Sequence, residues 1–275
     1  MTGASGYIGQ VLCPILREHE HTVRALDIAQ APGVESFDVV TEDLPLEGVD
    51  VVIPLAGYVG PKCERAPALA RDVNQVAAER LAKKLDGRRC IYLTTDSGYP
   101  PGNLTNENEP FAPKSVYACT KAAGAEALRA QGATVFRLAS LFGVSPNMRD
   151  DLLLHFLVKH TVKNGRLPGI RGPDVRRSFV HVGDVCHAVV RAVGESRGDF
   201  AGGLYNLTAR SQLRKMDVAL MISEIAGLGD IGIASAPNDD LDERDFWLDG
   251  SRWGFCLTSV RQALPALFAY YRRQS

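Results

Sequence analysis

Thr2-Gly3-Ala4-Ser5-Gly6-Tyr7-Ile8-Gly9 opens the chain, with a glycine at every third position directly before a helical pattern. Glycine carries no Cβ, so such a turn lets backbone N–H groups and a helix N-terminus close on a pyrophosphate. A glycine-rich turn also serves as a plain connector, and only the residues downstream distinguish the two. The next apolar run, Thr22 to Leu26, ends in Asp27. A carboxylate there can bond the adenosine ribose hydroxyls and repels a 2′-phosphate, which favours NAD over NADP. A buried apolar strand should precede a cradle of this kind, yet only Met1 stands ahead of Thr2, and the first strand of the sheet is expected to be truncated.

Working outward, the runs Thr22 to Leu26, Val49 to Leu55, Cys90 to Thr94 and Thr134 to Leu138 are rich in Val, Ile or Leu, as strands buried on both faces should be. Helical spacing fills the gaps over Ile8 to Arg17, Ala66 to Leu85 and Val116 to Ala130. The alternation predicts an α/β fold, a Rossmann-like doubly wound parallel sheet. Beyond Leu138 the pattern loosens. Ser145-Pro146, Leu167-Pro168-Gly169 and Gly172-Pro173 punctuate a segment with one helix, Asp150 to Lys163. Ser178 to Val193 and Leu204 to Gly227 read as strand-helix pairs, and an amphipathic helix closes the chain from Thr258 to Arg272. Residues 1–140, with 178–205 returning to them, are expected to form the NAD-binding domain, and 141–177 with 206–275 a smaller C-terminal α/β substrate lobe.

Composition removes other classes. The 275 residues are 45% hydrophobic and 23% charged with 26 glycines, ordinary for a globular protein, so disorder, collagen and coiled coil drop out. A formal net charge of -1 and scattered basic residues give no field for nucleic acid. No charged leader precedes an apolar run and no stretch is long enough to cross a bilayer, so the expected location is the cytoplasm, with no membrane partner. Six cysteines lie far apart without a C-x-x-C pair, which suggests neither a metal site nor a disulfide framework. Cys63, after Gly60-Pro61-Lys62, falls in a loop expected to flank the substrate.

Tyr117-Ala118-Cys119-Thr120-Lys121 sets a phenol and an ammonium four residues apart on one helix face. A tyrosine is a poor base at neutral pH, but a nearby ammonium and a positive nicotinamide ring both favour the phenolate. Any such spacing arises by chance on some helices, and only agreement with other motifs gives it weight.

Those motifs occur in order: the Thr2 to Gly9 cradle, Asp27, Leu55-Ala56-Gly57, Val73-Asn74, Thr94-Thr95-Asp96, Tyr117 with Lys121, Arg137-Leu138, and Arg177-Ser178-Phe179-Val180-His181-Val182-Gly183-Asp184-Val185. The chain thereby resembles the extended short-chain dehydrogenase/reductase family, in particular its NAD-dependent nucleotide-sugar epimerases and dehydratases, over nearly its whole length. The resemblance implies that Thr95 hydrogen-bonds the reacting sugar hydroxyl, Tyr117 takes its proton, and Lys121 holds the nicotinamide ribose and tunes Tyr117. It implies NAD contacts at Gly3, Ser5, Gly6, Tyr7, Ile8, Gly9, Asp27, Leu55, Ala56, Gly57, Tyr117 and Lys121. Asp38 and Val39 are expected near the adenine, and Asn74 is expected among the cofactor-binding residues, orienting the Tyr117 helix. Substrate contacts fall on Thr95, Asp96, Ser140 and Arg177, the last suited by its bidentate guanidinium to a diphosphate. His181 and Asp184 are read as structural, and a homodimer through the long helices is an assembly to test.

Three departures qualify the likeness. Dehydratases of this family carry Asp-Glu after the catalytic threonine, but here Asp96 is followed by Ser97, which is no general acid or base near neutral pH. Ser140 stands where an asparagine often touches the substrate. The segment between Asp38 and Val49 is too short for a crossover helix. The reading is therefore a nucleotide-sugar epimerase acting by transient oxidation. A nucleotide-sugar 4-ketoreductase or sugar dehydrogenase shares every one of these motifs, and a catalytically silent NAD-binding protein is the third alternative.

Overall fold

Arg89–Thr95 forms a strand buried from Cys90 onward, and it pairs in parallel with Thr134–Leu138, Ile91 opposite Thr134 through Thr95 opposite Leu138. This pair anchors the α/β architecture of a computed structural model that describes residues 1–100, 102, 104–170, 172–195, 200–210, 212–228, 245, 247–254, 256 and 258–274. The chain divides into two compact units. The first comprises Met1–Tyr99, Pro110–Leu138 and Cys186–Tyr205; the second comprises Pro100–Glu109, Ala139–Val185 and Asn206–Ser275.

In the first unit, Val51–Val52 lies beside Arg89–Thr95 in parallel, and Leu204–Leu207 borders Thr134–Leu138 on the other side. Leu26–Asp27 pairs in parallel with Glu35–Ser36. Between these two groups the sheet is continuous only through Thr2, which bridges Leu26 and Pro54 in parallel. The strand position ahead of the cradle is thus held by Met1 and Thr2. The Met1 amine donates to the Arg24 carbonyl at 2.8 Å, and the Leu26 amide donates to the Met1 carbonyl at 2.9 Å. A doubly wound sheet with helices in its crossovers is the fold that the strand-helix alternation predicts.

Two crossovers differ from expectation. The span read as a single helix from Ala66 to Leu85 is broken into Pro67–Arg71, a wider π-helical turn over Asp72–Val76, and Ala77–Ala82. The second is the short segment after Asp38. Arg80, on the last of those helices, donates to the carbonyls of Val39 at 2.6 Å, Val40 at 2.9 Å and Glu42 at 2.7 Å. Asp43 adds an ion pair with Lys84 at 2.5 Å. One guanidinium therefore satisfies backbone carbonyls that a crossover helix would have satisfied internally.

The second unit is built on a three-stranded sheet, with Arg176–His181 between Ser140–Phe142, parallel to it, and Gln212–Arg214, antiparallel. These pairings keep residues 178–185 in the second unit, whereas the sequence pattern predicts their return to the first; the return starts at Cys186. Phe142, Phe179, Leu154, Leu157, Ile222, Leu264 and Phe268 form its core with helices Leu153–Asn164, Lys215–Ala226 and Val260–Gln274. His155 is buried there, its Nε2 accepting from the Gly143 amide at 3.1 Å. Burial pushes that imidazole down to about 4, so it packs as a neutral ring. Among the described residues no helix is long and apolar enough to cross a membrane.

Candidate active site

The cradle is a set of close backbone approaches. Gly3 has φ +68°, and a Cβ on it would stand 2.5 Å from the Leu55 carbonyl carbon and the Ala56 nitrogen. A Cβ on Gly9 would stand 2.6 Å from the Ala4 carbonyl oxygen and closer still to that of Gly3. Only glycine fits at both. Gly6 differs: its Cβ would meet nothing nearer than the Gly3 oxygen at 3.1 Å, and it lines an open cavity of about 250 Å³ together with Thr2, Gly3, Asp27, Asp38, Val39, Leu55, Ala56 and Gly57. The structure thus gathers Gly3, Gly6, Gly57, the acidic strand end and the Asp38-Val39 pair around one space, whereas Ser5, Tyr7, Ile8 and Gly9 are not among the residues lining it. A missing side chain at Gly6 leaves room there for a phosphate, so the residues present fit a dinucleotide.

Asp27 also organises the loop. Its Oδ2 accepts from the Ser5 amide at 2.9 Å and its Oδ1 from the Ala29 amide at 3.0 Å. An ionised carboxylate has about four lone-pair sites, so both oxygens retain acceptor capacity toward hydroxyl groups. Tyr7 is buried, and Ile8 stands at the N-cap of the helix Gly9–Glu18.

Thr95 ends the long strand. Its Oγ1 lies 2.8 Å from Ser97 Oγ and accepts from the Ser97 amide at 3.1 Å. Ser97, at the position where dehydratases carry an acid, is therefore a neutral partner of the Thr95 hydroxyl. Asp96 comes next, with its amide on the Leu138 carbonyl, tying the strand end to its neighbour.

Tyr117 and Lys121 lie on the helix Val116–Arg129, whose N-terminus is capped by Ser115 Oγ accepting from Ala118 at 3.1 Å and by Glu64 Oε1 accepting from Val116 at 2.7 Å. Lys121 is buried at 7% exposure, and burial pushes its amine down to about 7. Its Nζ donates to Tyr92 Oη at 2.8 Å. Tyr92 sits on the long strand and interacts electrostatically with Tyr117. Asn74, in the π-helical turn, donates to Thr120 Oγ1 at 3.2 Å and exchanges hydrogen bonds with the Tyr58 backbone at 2.8 and 2.9 Å. It ties the loop after Gly57 to the helix of Tyr117.

In the second unit Ser140 and Arg177 are brought to the same small sheet, Ser140 opposite Phe179 and Arg177 two residues earlier on that strand. Arg177 is buried, so it is no solvated surface residue, and its Nη1 donates to the Arg176 carbonyl at 3.1 Å. Asp184 accepts from the Thr258 amide at 2.9 Å and from its hydroxyl at 3.0 Å, a structural task. Cys63 lies in the helical turn Lys62–Arg65, buried, with Sγ on the Tyr58 carbonyl. Arg80 and Tyr92 carry no signal in the sequence: a basic residue on an amphipathic helix and an aromatic on an apolar strand look like surface and core.

The NAD dependent epimerase/dehydratase family matches residues 1–208. UDP-glucose 4-epimerase of Mycolicibacterium smegmatis is 28% identical over 231 residues, covering 72% of this chain and 74% of that one. dTDP-4-dehydrorhamnose reductase of Streptomyces griseus is 35% identical over 138 residues, a match that spans 46% of this chain and only 43% of the reductase. Among solved structures, MoeE5 in complex with UDP-glucuronic acid and NAD shares the fold with TM-score 0.89 at 22% identity, over 100% of this chain and 98% of that one.

Proposed function

Because the chain belongs to the NAD-dependent epimerase/dehydratase family, we propose that it is a nucleotide-sugar epimerase that oxidises a sugar hydroxyl transiently and reduces the ketone from its other face. The observation that carries this reading is the pairing of Tyr117 with a buried Lys121 one helical turn away, near the end of the strand that presents Thr95. NAD, when bound, supplies the hydride acceptor and donor. Gly3, Ser5, Gly6, Tyr7, Ile8 and Gly9 would hold its pyrophosphate, Asp27 its adenosine ribose, and Asp38 and Val39 its adenine. Leu55, Ala56 and Gly57 would line its path toward Tyr117.

Tyr117 takes the hydroxyl proton at its phenol oxygen as the carbon is oxidised, and gives it back on reduction. Lys121, in its charged form, stabilises the phenolate that Tyr117 needs to be. The Thr95 hydroxyl, oriented by Ser97, hydrogen-bonds the reacting oxygen and fixes its distance from Tyr117. Arg177 binds the diphosphate, with Ser140 and Asp96 as further contacts to the substrate. Ser97 in place of a carboxylic acid supports epimerisation over elimination, because the residue that follows Asp96 is no acid near neutral pH.

A net 4-ketoreductase is the second reading, favoured by the 35% identity to the dTDP-4-dehydrorhamnose reductase over 138 residues. Incubation with UDP-, GDP- and CDP-sugars while NADH absorbance is tracked decides between them. Isomer formation without net NADH supports the epimerase, and stoichiometric production or consumption of NADH the reductase. If Tyr117→Phe alters turnover of no sugar nucleotide while NAD still binds, both readings fail.

A further inference from the structure

Tyr92 takes no part in the proton transfer at Tyr117, yet it meets Lys121 directly. Its Oη accepts from Lys121 Nζ at 2.8 Å, and the same amine stands 4.1 Å from the centre of its ring. The phenol is held at its hydroxyl, which donates, at a long 3.4 Å, to the Asn74 carbonyl in the π-helical turn. Gly124 packs on the same carbonyl: a Cβ there would stand 3.1 Å from Tyr92 Oη, 3.0 Å from Ala78 Cβ and closer still to the Asn74 oxygen. A side chain at Gly124 would collide first with that backbone carbonyl, so the helix that carries Lys121 packs on the π-helical turn beside Tyr92 because that position is glycine. Burial pushes the Tyr92 phenol up, with Tyr117 and Cys90 adding to it, so Tyr92 keeps its proton and serves as a neutral acceptor.

No ion pair among the described residues includes Lys121. Glu64, Asp72, Glu79, Arg71 and Arg80 stand on the elements packed against its helix, and burial pushes the amine down. The Tyr92 phenol meets the amine directly, and the Asn74 carbonyl in turn accepts from that phenol.

We propose that Tyr92 is a positioning residue for Lys121: its phenol oxygen holds the buried amine in place and favours its charged form, acting on the reaction only through that amine. This rests on the reading of Lys121 as the lysine beside the nicotinamide ribose. A buried ammonium with no carboxylate needs an acceptor, and of the groups named Tyr92 is the one whose hydrogen bond to it the structure defines.

The test uses the cofactor-free protein labelled with ¹³Cε-lysine and ¹³Cζ-tyrosine, with Lys121→Met and Tyr92→Phe assigning the two resonances. Removing an acceptor that favours the charged form lowers the midpoint of the Lys121 titration, so Tyr92→Phe is expected to move it down by about one pH unit. A midpoint that stays where it was overturns the proposal, since a ring that merely fills the core would be replaced by phenylalanine without consequence. Should Tyr92→Phe fail to give a cooperative melt, the wild-type protein decides: the Tyr92 resonance steps at the Lys121 midpoint if the two groups are bonded, and a Tyr92 resonance flat through that midpoint overturns the proposal. Because neither cofactor nor sugar is present, the titration stands or falls apart from the epimerase reading.

Discussion

At the cradle end of the first unit, Thr2 alone joins Leu26 to Pro54 and the strands beside it are two residues long, whereas Arg89–Thr95 pairs with Thr134–Leu138 across five registered positions. The cradle takes its shape from backbone pressed on backbone at Gly3 and Gly9. The catalytic end takes its shape from side chains: Tyr92, Asn74, Thr120 and Lys121 interlock behind Tyr117. The two ends should therefore fail differently. A change at the cradle strains the fold and the cofactor site together, while a change at Tyr117 removes chemistry and leaves both nearly intact.

Tyr117→Phe gives the largest effect and isolates the catalytic end. Turnover of the sugar nucleotide should fall about 10³-fold, the range for losing a positioned general base, with the melting temperature unchanged and NADH affinity lowered far less, by the one cofactor contact that Tyr117 gives up. A parallel fall in NADH affinity would mean that the catalytic helix also shapes the cradle, and the contrast would break. Gly9→Ala is the matching change at the other end. Its Cβ would meet the Ala4 oxygen at 2.6 Å with no flexible side chain to give way, so a loss of about 3 kcal/mol in stability should accompany a loss of NADH binding. Stability retained with binding lost would show that the cradle relaxes without cost to the sheet.

The same contrast explains what could be read from the residues. Gly3, Gly6, Gly9, Asp27, Thr95, Tyr117 and Lys121 stand out as candidates because each is a residue type that the geometry or chemistry of the proposed site demands, at a spacing fixed along the chain. Tyr92 is not, since an aromatic on a buried strand carries the same signal whether it fills space or holds an amine. The π-helical turn at Asp72–Val76 escapes because it spans only five residues, too few for a local change of period to register against the helical pattern on either side. Residues 178–185 are assigned by sequence pattern to the wrong unit because strand partners are chosen across the fold, here Ser140–Phe142 and Gln212–Arg214, and adjacency in sequence does not encode them. Trp247–Leu248 and Leu104–Thr105 pair as strands of two residues, too short for any period to show.

Lys121→Met probes the cost of the catalytic end. Burial lowers this amine from 10.5 to about 7, so between those values the unfolded chain binds a proton that the folded chain does not. Folding is therefore penalised most at and below pH 7, and the penalty is relieved as pH rises toward 10. Lys121→Met should raise stability by roughly 2 kcal/mol at pH 7, once the lost bond to Tyr92 is set against the relieved charge. The gain should shrink steadily up to pH 10. A variant no more stable than wild type at pH 7, by chemical denaturation, would show that the site accommodates its amine without strain.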